Sequence, residues 1–205
     1  MKPIIISLLF AATAAAHPVA FEGAHQLMFG TAGGVQNFEF YQSYSARAAW
    51  GLHAMGFEDD EDEIFTGIQH NWLLKRWNLS SAQANIYTGL GAGMAGEVGN
   101  GASPAGIGFF RADYETRLLY TAFDAKWVES NDVSRGVFSV AAGIAPYKAE
   151  FDQLNTWLIL QLEHATGMED KLEIIPKVRF FRGPYFLEIG STLGGKPVVN
   201  FMIHF

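Results

Sequence analysis

The chain contains no cysteine. That excludes a disulfide framework and a lipid anchor carried on cysteine. Beyond the first ten residues no apolar run approaches 18 residues, so helical membrane spans are excluded. Basic residues are few: 14 Lys+Arg stand against 21 Asp+Glu, a net charge of −7. An acidic chain argues against nucleic acid as a partner, which would call for a basic stripe. Neither G-x-S-x-G nor H-E-x-x-H occurs, so no local signature of a serine hydrolase or zinc protease is present. What the chain does have is 14% aromatic residues and 22 glycines, a mixture that suits many short strands and tight turns.

The N-terminus reads as a secretory signal. Met1-Lys2-Pro3 carries one positive charge, Ile4 to Phe10 is apolar except for Ser7, and Ala11 to Ala16 is small and alanine-rich. This is the charged, apolar, small-residue order of an exported chain, and Ala14-Ala15-Ala16 fits an A-x-A site. Cleavage is expected after Ala16. Removing residues 1–16 from the 205 leaves a single domain over 17–205, of 189 residues. Its net charge is −8, because Lys2 leaves with the signal.

Past that point the dominant period is two. Successive side chains of a strand point to opposite faces, so alternation marks a strand with two different environments. Twelve segments qualify: 24–31, 36–43, 47–57, 63–74, 82–94, 104–113, 118–128, 137–147, 153–164, 171–181, 184–192 and 197–205. In 153–164, Leu154, Thr156, Leu158, Leu160 and Leu162 oppose Asn155, Trp157, Ile159, Gln161 and Glu163. In 171–181, Leu172, Ile174, Val178 and Phe180 oppose Lys171, Glu173, Lys177 and Arg179. In 118–128, Leu119, Phe123 and Trp127 oppose Tyr120, Asp124 and Lys126. A count of ten is the alternative, with 24–43 as a lead-in. Pro176 lies mid-strand and cannot donate to a ladder, so a bulge or register shift is expected there.

The last strand, Pro197 to Phe205, places Val199, Phe201, Ile203 and Phe205 on one face and stops on an aromatic. In this it resembles the outer-membrane β-barrel proteins of Gram-negative bacteria, whose final strand commonly ends so and is read by the assembly machinery. The resemblance implies an all-β fold, a transmembrane antiparallel up-and-down barrel of about twelve strands. It also implies residence in the bacterial outer membrane, with its lipid and lipopolysaccharide and the barrel assembly machinery as partners. A soluble sandwich predicts the same alternation. The signal peptide, the terminal phenylalanine and the distribution of connections favour the barrel.

Outer-membrane barrels have short periplasmic turns and longer outside loops. Counted back from a periplasmic C-terminus, the periplasmic connections fall at 181–184, 147–152, 113–117, 75–81 and 43–47. The outside ones fall at 193–196, 165–170, 129–136, 96–103, 58–62 and 31–35, and are glycine-rich or acidic. Tyr41, Tyr44, Trp72, Trp77, Tyr114, Tyr120, Tyr147 and Tyr185 flank the first set, as an interfacial aromatic belt would.

The polar faces carry charges of both signs. A lumen lined by Asp124, Lys126, Glu163, Lys177, Arg179 and Glu188 is expected. A two-residue Arg182-Gly183 turn would set Lys177 opposite Glu188, and Glu163 could pair with Lys171 across the preceding loop. Such a lining acts as a selectivity surface for a small polar or ionic solute, or as a self-neutralised filling of a narrow barrel. The expected function is therefore a channel or solute-binding, porin-like barrel. A structural or adhesion barrel with a plugged lumen, or a lipid- or lipopolysaccharide-modifying enzyme, is the alternative. No catalytic residue, metal or cofactor is assigned. Gly91-Ala92-Gly93-Met94-Ala95-Gly96 matches G-x-G-x-x-G, but a loop follows where a dinucleotide site needs a helix. The acidic run Glu58 to Glu63 lacks the glycine and spacing of a calcium loop and reads as a solvated outside loop. His53 with Met55, and Met202 with His204, share strand faces, a soft pairing suited to copper that six histidines also produce by chance.

Overall fold

The computed structural model describes residues 17–58, 62–150, 153–168 and 172–205. Residues 1–16, expected as a signal peptide, Asp59 to Glu61 of the acidic run, and Lys171 lie outside these.

The twelve alternating segments form twelve strands. They are β1 (His25–Ala32), β2 (Val35–Ser45), β3 (Ala48–Phe57), β4 (Glu63–Asn78), β5 (Ala82–Glu97), β6 (Ala102–Thr116), β7 (Leu119–Glu129), β8 (Ser134–Ile144), β9 (Asn155–Thr166), β10 (Leu172–Arg182), β11 (Tyr185–Ser191) and β12 (Pro197–His204). Each pairs antiparallel with its sequence neighbours, and β1 closes on β12 through pairs from Gln26↔His204 to Thr31↔Val199. Closure leaves no sheet edge to satisfy. The chain is thus an all-β, closed, twelve-stranded antiparallel barrel, and 24–43 forms wall rather than a lead-in.

The wall is uneven. β4, β5 and β6 run for 16, 16 and 15 residues, whereas β11, β12 and β1 have 7, 8 and 8. The sequence reading cut the long strands short. Connections were expected over all of 113–117 and 75–81, yet β6 pairs through Thr116 and β4 through Asn78. A bulge between Leu73 and Lys75 shifts the register there and hides the continuation of the period. β8 starts three residues earlier than expected, because Ser130 caps a tight turn and Val133 folds inward.

Connections at the end carrying both chain termini are short, two or three residues, except 145–154. At the opposite end they have two to five. There the β1–β2 link is Gly33-Gly34, with φ of 59° and 92°. Positive φ at both central residues is the type I′ pattern that suits a two-residue hairpin, and glycine adopts it without strain.

Two register expectations are corrected. The β10–β11 turn is Gly183-Pro184, not Arg182-Gly183: Arg182 pairs with Tyr185 and Phe181 with Phe186. Gly183 takes φ 56° at the first central position, and Pro184 fixes a negative φ at the second. That is a II′ pattern. Arg179 consequently stands opposite Glu188 and Lys177 opposite Gly190. Pro176 causes no bulge either, since it pairs with Leu160 in unbroken register. The β10–β11 ladder begins one residue later, at Lys177↔Gly190, so the missing N–H falls where there is no ladder bond to lose.

Candidate functional site

The barrel is inside-out relative to a soluble protein. Leu158 and Leu160 on β9 are about half exposed on the outer face, while Ile159 between them and Gln161 and Glu163 beyond them are buried. Leu52, Ile68, Leu90, Val140 and Ile189 are exposed around the rest of the wall. On the last strand Phe201 faces out and Val198 and Met202 face in. Six members of the expected aromatic belt, Tyr44, Trp72, Trp77, Tyr114, Tyr147 and Tyr185, lie exposed toward the terminus end. Tyr41 and Tyr120 do not join them. Both fall on the inward phase of their strands and are buried in the lumen.

The interior is layered. Val35, Met55, Phe57, Phe65, Ile107, Val128 and Val133 form an apolar cluster at the loop end, with Met168 against it. The Gly33-Gly34 turn leans over this end, close enough that a Cβ on Gly33 would stand 3.0 Å from Glu163 Oε1. Two further apolar clusters occupy the terminus end. One is built on Tyr120, Trp157, Phe181, Phe186 and Met202, the other on Val19, Tyr41, Leu73, Tyr87 and Phe109. Gly89, on the inward face of β5, leaves the room that the Phe109 ring fills.

Between these layers lies a polar belt around a cavity of about 220 Å³. All six residues expected in the lumen, Asp124, Lys126, Glu163, Lys177, Arg179 and Glu188, line it. Glu188 is the densest node. Its carboxylate accepts from Lys177 Nζ at 2.8 Å, from Arg179 at 2.8 Å and from Asn200 Nδ2 at 2.8 Å. The Lys177–Glu188 contact is a diagonal one, two residues off the direct cross-strand position expected for it. The Arg179 guanidinium also lies 4.2 Å from the Tyr120 ring centre and 5.0 Å from that of Phe186, within cation–π reach. Lys177 donates to Gln161 at 2.6 Å, and Gln161 donates to Glu163 at 2.8 Å. Glu163 thus accepts from an amide, and its direct neighbour on β10 is Glu173; the expected pairing with Lys171 lies outside the described residues.

The opposite wall repeats the logic and joins Asp124 and Lys126 to Asn37, Glu39, Gln69 and Arg111, which the sequence alone did not single out. Lys126 Nζ meets Glu39 at 2.5 Å and Asn37 at 3.3 Å. His53 lies 3.5 Å from Glu39 and 2.8 Å from Gln69, and Gln69 bonds Tyr41 and Asn71. Arg111 reaches Asp124 at 3.2 Å, Asp113 at 3.4 Å and the Tyr120 hydroxyl at 3.0 Å. At the loop end Arg135 holds Glu63 at 2.6 Å. Glu63, expected both to end the acidic run and to open the 63–74 strand, begins β4 and is buried. Arg111 and Asp113 share the inward phase of β6, and Asn37, Glu39 and Tyr41 that of β2, so alternation alone would have placed them in the lumen.

His53 is engaged with Glu39 and Gln69, while Met55 packs in the loop-end apolar cluster. Met202 accepts from Gln26. Among the described residues no three His, Asp or Glu side chains gather as a metal site.

Residues 17–24 turn back into the terminus end of the lumen. The His17 ring stacks on Tyr87 with centres 5.3 Å apart, and its Nε2 lies 3.5 Å from Asp113 Oδ2. Burial pushes the imidazole below its ordinary pKa, against the opposing pull of Asp113.

No protein-family model matches the chain, and no curated protein does. Three solved chains match it in fold. One of them comes from work on "Unveiling the Mechanism Behind the in-meso Crystallization of Membrane Proteins". It is similar over 89% of this chain and 83% of its own, at 10% identity and a TM-score of 0.43, a likeness too distant to inform the site.

Proposed function

We propose that the chain is a small outer-membrane β-barrel that spans the lipid bilayer in a closed state and holds a small polar solute in its mid-barrel cavity. One observation carries the membrane reading: exposed leucines and aromatics ring the outside while charged side chains are buried within. In water that arrangement would leave large apolar patches wet; in a bilayer it is the expected polarity of a barrel. The partners are then outer-membrane lipid and lipopolysaccharide, with the barrel assembly machinery reading Val199, Phe201, Ile203 and Phe205.

The closed state is supported by the apolar clusters at both ends of the lumen. The solute reading is supported by the charged belt between them. A cavity of about 220 Å³ is below the roughly 300–1,000 Å³ of drug-sized pockets, so the solute is small. A purely structural barrel is the second reading, favoured by the pairing of Lys126, Arg111, Lys177 and Arg179 with carboxylates. Neither reading assigns an enzymatic activity or a cofactor.

Electrophoresis with and without boiling, followed by planar-bilayer recording, tests this. A heat-dependent mobility shift and a silent barrel are expected. A steady open conductance would contradict the closed state, and absence of the shift would contradict the barrel's membrane role.

A further inference from the structure

At its terminus end the polar cavity is crossed by the chain itself. Pro18 lines it directly. The segment His17 to Ala20 crosses the lumen from the β1 side to the β5–β6 side. Gln26 of β1 donates to His17 O at 2.5 Å, and Asn71 of β4 donates to Pro18 O at 3.1 Å. Ala20 N donates to Ser43 Oγ of β2 at 2.9 Å. Val19 is buried among Tyr41, Ala49, Leu73, Tyr87 and Phe109. The ring of His17 reaches Tyr87 and Asp113 on the far side.

None of these contacts is part of the strand ladder. All three hydrogen bonds use a side chain of the wall, and each such bond is individually weak in net terms. The ladder takes over only at Gly23 and Ala24, which bond Ser43 through the backbone. Just ahead of it sit Phe21, exposed at 65%, and Glu22, in a turn closed by Ala24 N donating to Phe21 O at 3.1 Å, and Gly23 ends that turn at φ 86° with no atom within 4 Å of its would-be Cβ. His17 to Ala20 can swing about this point without breaking a single β pair. Among the described residues the loop end has no comparable element. Its cover is built from Val133, Met168 and the Gly33-Gly34 hairpin, all continuous with paired strands.

We propose that His17–Ala20 is a releasable plug, hinged at Phe21–Gly23, whose withdrawal admits a small charged solute to the mid-barrel cavity from the terminus end alone. This rests on the interior cavity being a solute site, but not on the membrane reading. Withdrawal exposes Arg111, Asp124 and Glu39 of the cavity wall while the apolar cluster at the loop end stays in place. The plug therefore controls one-sided access, and a through-path does not follow from its release.

The absence of native cysteine gives a direct test. Ser139→Cys, facing the cavity, provides one thiol in the whole purified barrel in detergent micelles. Its labelling rate by a small trimethylammonium methanethiosulfonate reagent reads access. Val19→Asp sets a carboxylate into the apolar cluster that holds the plug and should raise the rate about tenfold or more. Asn71→Ala removes one anchor and should raise it roughly fivefold. The heat-dependent mobility shift shows in each case that the barrel is intact, and Asn71→Ala carries the test should Val19→Asp not assemble. Equal rates in intact parent and variants would overturn the proposal. So would a parent that labels as fast as a free thiol peptide, because the cavity would then be open with the plug docked. If the shift is present but the protein stays soluble without detergent, the membrane reading fails while the plug is still tested by the labelling ratio.

Discussion

Glu188 is the most informative residue to remove. It is 3% exposed and holds Lys177, Arg179 and Asn200 at once. Glu188→Gln keeps the shape and one acceptor but withdraws the charge facing two buried cations. Breaking a buried ion pair by deleting one partner costs about 3–5 kcal/mol, since the remaining charge is left uncompensated. Two compensations place this case near the lower figure. Lys177 keeps its 2.6 Å bond to Gln161, and Arg179 keeps the faces of Tyr120 and Phe186. A loss of about 3 kcal/mol, roughly 150-fold in the folding equilibrium, should appear in urea unfolding followed in micelles by tryptophan fluorescence. Adding Lys177→Met to Glu188→Gln removes one of the stranded cations. The double variant should then be less destabilised than the sum of the two single changes, by about 1 kcal/mol or more. A Glu188→Gln loss under about 0.5 kcal/mol, the usual range for surface changes, would refute the reasoning. Strict additivity of the pair would refute it as well.

Other outcomes follow from the same geometry. Leu160→Arg puts a charge on the outer face near mid-strand and should cost about 2–4 kcal/mol in lipid; refolding yield into vesicles against urea reads it. Neutralising Lys177 and Arg179 should change stability and leave a silent barrel silent; an altered ion preference would mean that the lumen conducts. The plug should also respond to pH. His17 faces Asp113, Arg111 and Arg76 from the wall, and His204 from β12. With its docked pKa below the ordinary 6.5, docking is favoured above that value and lost as pH falls beneath it, because the released imidazole binds the proton better. Labelling of Ser139→Cys should therefore accelerate below about pH 6.5, relative to a free thiol at the same pH. A pH-independent ratio would contradict this.

The strands were legible because their signal is local: a period of two needs only neighbouring residues. Leu158, Gln161 and Glu163 declare their faces without any knowledge of β8 or β10. Register was less legible. Choosing Gly183-Pro184 over Arg182-Gly183 depends on glycine taking positive φ at the first turn position, a single-residue decision that moved every pair in β10–β11 by two. The end of β4 was missed because the bulge at Leu73/Lys75 breaks the period. Contacts across the lumen were the least legible. Lys126 and Glu39 meet only because β7 and β2 face each other after closure, and no spacing in the sequence encodes that. The inward turn of 17–24 was hidden for the same reason, since Val19 finds its apolar partners on β2 to β6.

Tryptophan quenching by lipids brominated on their acyl chains tests the central claim most directly. The chain carries five tryptophans: Trp50, Trp72, Trp77 and Trp127 face outward, and Trp157 is 1% exposed inside. In vesicles of such lipid, a variant keeping only Trp127 should lose much of its fluorescence, and one keeping only Trp157 should keep it. Equal quenching of the two, or none of either, would contradict an apolar exterior in contact with lipid around an enclosed polar interior.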